Sequence, residues 1–154
     1  MSLELKCPPV LLAVILALFI WSSARYLPLP IELHALDAVV WIKYGLAFTS
    51  LLIGVLALVQ FRRARTTFHP HTPEKASQLV ESGLYRYSRN PMYLAILMLL
   101  CAYALHAPSW LAPFWPVAFV LYMNRFQIAP EERVLRHIFG ESYERYLRRV
   151  RRWI

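Results

Sequence analysis

Two short stretches of the chain hold polar side chains in patterns that suggest ligand chemistry. The first is Leu79-Val80-Glu81-Ser82-Gly83-Leu84-Tyr85-Arg86-Tyr87-Ser88-Arg89-Asn90-Pro91-Met92-Tyr93. Gly83 can supply a turn that other residues resist. Pro91 suits the first turn of a helix, where its missing N–H costs nothing, and Asn90 before it is an N-cap residue. Free N–H groups at such a helix end favour anions, and Arg89 beside them makes a carboxylate or phosphate site. The second stretch is Asn124-Arg125-Phe126-Gln127-Ile128-Ala129-Pro130-Glu131-Glu132. Pro130, Glu131 and Glu132 fit the first turn of a new helix. A plainer explanation accompanies each stretch: Asn90-Pro91 caps a helix, the arginines meet lipid phosphates, and the two glutamates complement a helix dipole.

The remainder of the chain must bring these stretches together, and its composition says in what solvent. The 154 residues are 58% hydrophobic with a net charge of +8, yet only 17% are charged. That apolar share exceeds the roughly 45–50% of soluble domains. The apolar residues come in blocks at about 8–23, 38–61, 91–106 and 110–128, and roughly 20 such residues span a hydrocarbon core. The expectation is one all-α domain over 1–154. It is a polytopic membrane protein of about four transmembrane helices plus a C-terminal amphipathic cytoplasmic helix. A cleaved signal peptide competes for the first block, but one lysine precedes it and no A-x-A-like site follows. Pro28 and Pro30 break the chain after it. Ala107-Pro108-Ser109 makes a tight hairpin between the last two blocks, and Pro113 and Pro116 bend the fourth helix or delay its start.

Charge decides orientation. Arg62, Arg63, Arg65, Lys75, Arg86 and Arg89 lie between the second and third blocks. Arg133, Arg136, Arg145, Arg148, Arg149, Arg151 and Arg152 follow the fourth. The positive-inside rule puts the loop 62–90 and the tail 129–154 in the cytoplasm, and both termini with them. The expected location is therefore an integral protein of a bacterial inner membrane, with membrane lipids as partners and no nucleic acid. Within the tail, Leu135, Ile138, Phe139, Tyr143, Tyr146, Leu147 and Val150 approximate a helical stripe interrupted near Gly140. Cys7 and Cys101 have no disulfide or zinc spacing and read as packing residues. His69 and His71 lack further clustered ligands, so no metal site is expected. Ser88 has no His–acid arrangement and is not read as a nucleophile.

Together the two stretches resemble the isoprenylcysteine carboxyl methyltransferase and phospholipid N-methyltransferase family of integral membrane enzymes. The residues that carry the resemblance are Leu79-Val80, Gly83, Tyr85, Arg89-Asn90-Pro91, Tyr93, Glu131-Glu132, Leu135 and Phe139-Gly140-Glu141-x-Tyr143. The similarity covers about residues 66–154, and the order and spacing of several motifs make it specific. Asn90 stands where the family has histidine, and Ala95 where it has glycine. Asn90 can cap and hydrogen-bond but cannot exchange protons.

The resemblance implies methyl transfer from S-adenosylmethionine to an amphipathic or lipid-like acceptor at the cytoplasmic face. Leu79, Val80, Tyr85, Arg89, Asn90, Pro91, Tyr93, Glu131 and Glu132 would hold the cofactor. Arg89 and the N–H groups around Asn90 would take its carboxylate, and the glutamates its ammonium or ribose. Arg125 is the candidate catalytic residue; with Asn124 and Gln127 it would grip the acceptor. Small thiols or amines are rival acceptors, and a non-enzymatic lipid-binding scaffold is the rival class.

Overall fold

The computed structural model describes residues 4–30, 36–63 and 79–154. His69 and His71 lie outside the described residues, as does most of the basic loop between the second and third blocks. The described residues form helices α1 (Pro9–Tyr26), α2 (Asp37–Arg63), α3 (Pro91–His106), α4 (Phe114–Tyr122) and α5 (Ala129–Arg149). A 3-10 turn, Gly83–Arg86, precedes α3, and a π-helical segment, Met123–Ile128, joins α4 to α5.

The helices run up and down. At one end, Leu29 N–H donates to Pro108 O and Trp110 N–H to Leu27 O. At the other, Leu5 N–H donates to Phe126 O, and Gln60 of α2 accepts from Leu84 N–H at 3.1 Å. The second end therefore gathers the start of α1, the end of α2, the start of α3 and the exit of the π segment. Leu12, Leu16 and Ile20 of α1 pack there and below against Tyr93, Leu100, Phe119, Met123 and Ile128.

α1 and α2 are long and apolar enough to cross a membrane, with mean hydropathies of 1.7 and 2.0. Core helices of a soluble protein would be mostly buried, but here only 22% and 17% of the two apolar windows are. Trp41 and Phe48 are 77% and 69% exposed. A hydrocarbon solvent suits so large an apolar surface. The protein is thus an all-α membrane bundle. α3 has 16 residues and α4 only nine, so by length two of the four expected spans qualify.

Two expected boundaries move. The fourth helix starts at Phe114 rather than near Trp110, because Pro113 and Pro116 fall at its N-cap and first turn, where they need no N–H. It also does not stop at Ile128. The backbone stays helical through Pro130 into α5. Pro130 has no N–H to return to Phe126 O four residues back, and Leu5 N–H reaches that carbonyl instead at 3.0 Å. The interruption expected near Gly140 is present as a kink, with φ 50° and ψ −125°.

α2 and α3 approach closely through small residues, as membrane helices do. Ser50 Oγ donates to Ala95 O at 2.7 Å, and Gly54 lies against Ala95. At the end of α2, Gly83 has φ +60°, and an added Cβ would overlap the Gln60 amide that holds Leu84 N–H. Gly83→Ala is expected to destabilise the protein by about 1–3 kcal/mol, combining left-handed strain with loss of that hydrogen bond. A thermal melt in detergent measures it, and a native-like melting temperature would refute the fit.

Candidate functional site

The chemistry-bearing side chains collect where α3 begins and the π segment passes into α5. Pro91 opens α3 and is fully buried. Much further along the chain, Glu131 and Glu132 occupy the first turn of α5. Adjacent helical residues point about 100° apart, so the two carboxylates enter different surroundings.

Glu131 meets neutral donors. Tyr93 Oη donates to its Oε1 at 2.7 Å and Gln127 Nε2 to the same oxygen at 2.5 Å. Gln127 is 1% exposed and Tyr93 3%. Gln127 and Glu131 are four apart, hence on one helical face. Burial pushes the Glu131 carboxyl up to about 7 from an ordinary 4.5; donation by Tyr93 and Gln127 opposes this, and Glu132 adds to it.

Glu132 meets guanidiniums. It is buried, and Arg152 holds it by two bonds, Nη2–Oε2 at 2.6 Å and Nε–Oε1 at 3.1 Å. Arg89 Nη2 lies 3.3 Å from Oε1. The hydrogen bond to Glu132 in turn keeps Arg152 protonated to higher pH than usual. A buried carboxylate needs such partners, because removing one leaves charge stranded. Arg89 Nε is itself buried and has no hydrogen-bond partner.

Asn90 stands at the N-cap of α3, but its side chain makes no capping bond. Its Nδ2 instead donates to Arg152 O at 3.0 Å, while its own N–H donates to Ser88 Oγ at 3.1 Å. Asn124 Oδ1 accepts from Arg152 Nη1 at 3.3 Å and from Trp153 Nε1 at 3.1 Å. Leu79 packs on Tyr143, Tyr146 and Val150 of α5, and Val80 beside it is half-buried. Tyr85 is buried, and its carbonyl accepts from Tyr146 Oη at 2.7 Å. Burial raises the phenol pKa of Tyr85, Tyr143 and Tyr146 alike.

The structure therefore brings Tyr93, Gln127 and Glu131 into one group, and Arg89, Asn90, Asn124 and Glu132 into its neighbour. Arg125 is the departure. Its side chain is 64% exposed and pairs with Glu4 at 3.1 Å, as Arg133 does at 2.6 Å. Residues two apart on a helix face opposite ways, and Gln127 takes the inner side. Sequence reasoning missed Ser88, Arg152 and Trp153. No sequence signal selects Arg152 from the other arginines of the tail, since its contacts are 20 to 64 residues distant.

Above this site, toward the bundle centre, α1, α2 and α3 enclose an apolar groove of about 680 Å³. Leu51, Val55, Ala95, Ile96, Leu99 and Tyr93 line it. Leu51, Val55 and Leu99 are also exposed on the outer surface, so the groove faces the surrounding lipid.

The fold and site define a membrane helical bundle with a charged, largely buried site at one end and an apolar groove beside it. The family profile described as phospholipid methyltransferase matches residues 39–142. The chain belongs to this family and is thereby an S-adenosylmethionine-dependent methyltransferase. It is also similar to an uncharacterised protein of Haemophilus influenzae, 44% identical over 63 residues, which is 41% of this chain and all of that protein. No solved structure matches the chain at a significant level.

The raised Glu131 carboxyl makes a stability prediction. Its folded value of about 7 exceeds the 4.5 of the free group. The stability it contributes is full below pH 4.5 and is lost as pH rises through 7. Glu131→Gln removes this slope. Across that interval the melting temperature of the variant should rise relative to the native protein, and a pH-independent difference would sink the assignment.

Proposed function

We propose that the chain methylates a lipid-like acceptor at the cytoplasmic face of the membrane, from four spans with both termini cytoplasmic. The observation that carries this is the double duty of Tyr93. Tyr93 lines the apolar groove, and its hydroxyl is bonded to Glu131. A hydrophobic tail lying in the groove would bring its polar head to the charged site. The exposed arginines Arg86, Arg133, Arg136, Arg145, Arg148, Arg149 and Arg151 lie in segments at the site's end of the bundle, in keeping with a cytoplasmic side.

The residues present fit the cofactor. S-adenosylmethionine supplies an electrophilic methyl group on a sulfonium sulfur. Its carboxylate suits Arg89, whose buried Nε lacks an acceptor. Its ammonium or ribose suits Glu131, which has one oxygen bonded by Tyr93 and Gln127. Leu79, Val80, Tyr85, Asn90 and Pro91 would complete the enclosure, with Glu132 ordering Arg89. Glu131 favours cation binding in its ionised form, so a bound cation draws its pKa down. Burial of the site strengthens these electrostatic contacts and excludes water from the methyl group. Gln127 and Asn124 stand on the inner side of the π segment, toward the acceptor. Arg125, paired outward with Glu4, is not assigned a catalytic role.

Calorimetric titration of S-adenosylhomocysteine into the detergent-purified protein tests the reading. The native chain is expected to bind, with affinity falling as pH drops below about 7. Glu131→Gln should weaken binding by about tenfold or more, the worth of a hydrogen bond to a charged group. Absence of binding by the folded native chain would overturn the site.

A further inference from the structure

The segment after α5 does more than trail from it. At Val150 the backbone turns extended, with φ −120° and ψ 132°. The next three residues then contact Ser88, Arg89, Asn90, Asn124 and Glu132. Arg151 O accepts from Arg89 N–H at 3.0 Å. Arg152 O accepts from Asn90 Nδ2 at 3.0 Å and Ser88 Oγ at 3.5 Å. The Arg152 guanidinium spans Glu132 and Asn124, and Trp153 Nε1 adds a second bond to Asn124. Three consecutive residues thus join the approach to α3, the π segment and the first turn of α5. These are elements from widely separated parts of the sequence.

We propose that Arg151–Trp153 is a strap that holds the cofactor site in register, with Arg152 as its positioning residue. The inference rests on the methyltransferase reading above. The geometry gives Arg152 a specific task. By engaging both oxygens of Glu132, it leaves Arg89 a single 3.3 Å contact to that carboxylate and keeps Arg89 Nε free. Without Arg152, Glu132 is free to rotate onto Arg89 and form the two-point pair that guanidinium and carboxylate favour. The donor meant for the cofactor's carboxylate would then be consumed internally. The strap carbonyl also holds Asn90, whose side-chain amide donates to it.

The test is titration of S-adenosylhomocysteine into full-length native protein and three variants in detergent, with methyl-transfer kinetics alongside. Arg152→Ala should weaken binding by about tenfold and raise KM for S-adenosylmethionine to match, with kcat changed far less. Arg152→Lys keeps the charge without the fork and should recover only part of the affinity. Arg152→Ala combined with Glu132→Gln should bind more tightly than Arg152→Ala alone, because no carboxylate then competes for Arg89. A purely structural strap predicts the opposite, a further loss from the second substitution. Unchanged affinity in Arg152→Ala, or additive loss in the double variant, overturns the strap while leaving the cofactor site intact. Failure of the native protein to bind overturns both.

Discussion

Everything at the functional end of this protein answers to one constraint: two adjacent carboxylates sit at the start of α5, where water cannot solvate them freely. A buried carboxylate must be paired, hydrogen-bonded or protonated. Glu132 takes the first route, with guanidiniums of Arg89 and Arg152. Glu131 takes the other two, held by Tyr93 and Gln127 and poised near neutrality. The contrast makes chemical sense. Glu132 is already neutralised and can order other groups, whereas Glu131 lacks a cationic partner among the described residues. A cationic ligand is the partner its position calls for.

The π segment is what lets both solutions coexist. Such segments are rare inside helices and often mark functional sites. Here it carries the helix from α4 into α5 across Pro130 with the inner side occupied by Asn124, Gln127 and Glu131. The backbone irregularity has its own repair, since Leu5 N–H satisfies Phe126 O and Glu4 pairs with Arg125 and Arg133 on either side. The start of the chain therefore clamps the outside of the helix whose inside forms the site. Arg125 belongs to that clamp.

The helices were legible in the sequence because hydropathy and proline placement are local signals. The block at 91–106 coincides with α3, and Pro91 starts it as its fixed φ and missing N–H require. Gly83 in a left-handed turn and the kink at Gly140 follow from the same local logic. The glutamate pair was legible through its motif. Local reasoning failed wherever a helix rule was overridden at distance. Pro130 reads as a helix start, but a donor from residue 5 lets the helix run through it. Asn90 reads as a cap, but the carbonyl of Arg152 claims its side chain.

The Asn90 case bears on what sets chemistry apart from scaffolding in this site. Were position 90 an acid–base group, its replacement by an amide would remove the reaction's proton carrier. In this chain, however, Asn90 Nδ2 is spent on a backbone carbonyl and its N–H on Ser88 Oγ. Both bonds are ones a neutral donor makes permanently. The only carboxylate among the described residues with a value raised to near 7 is Glu131, and it abuts the groove through Tyr93. Asn90 is thus part of the scaffold that ties the approach of α3 to Arg152, and the titratable member of the pair beside the groove is Glu131.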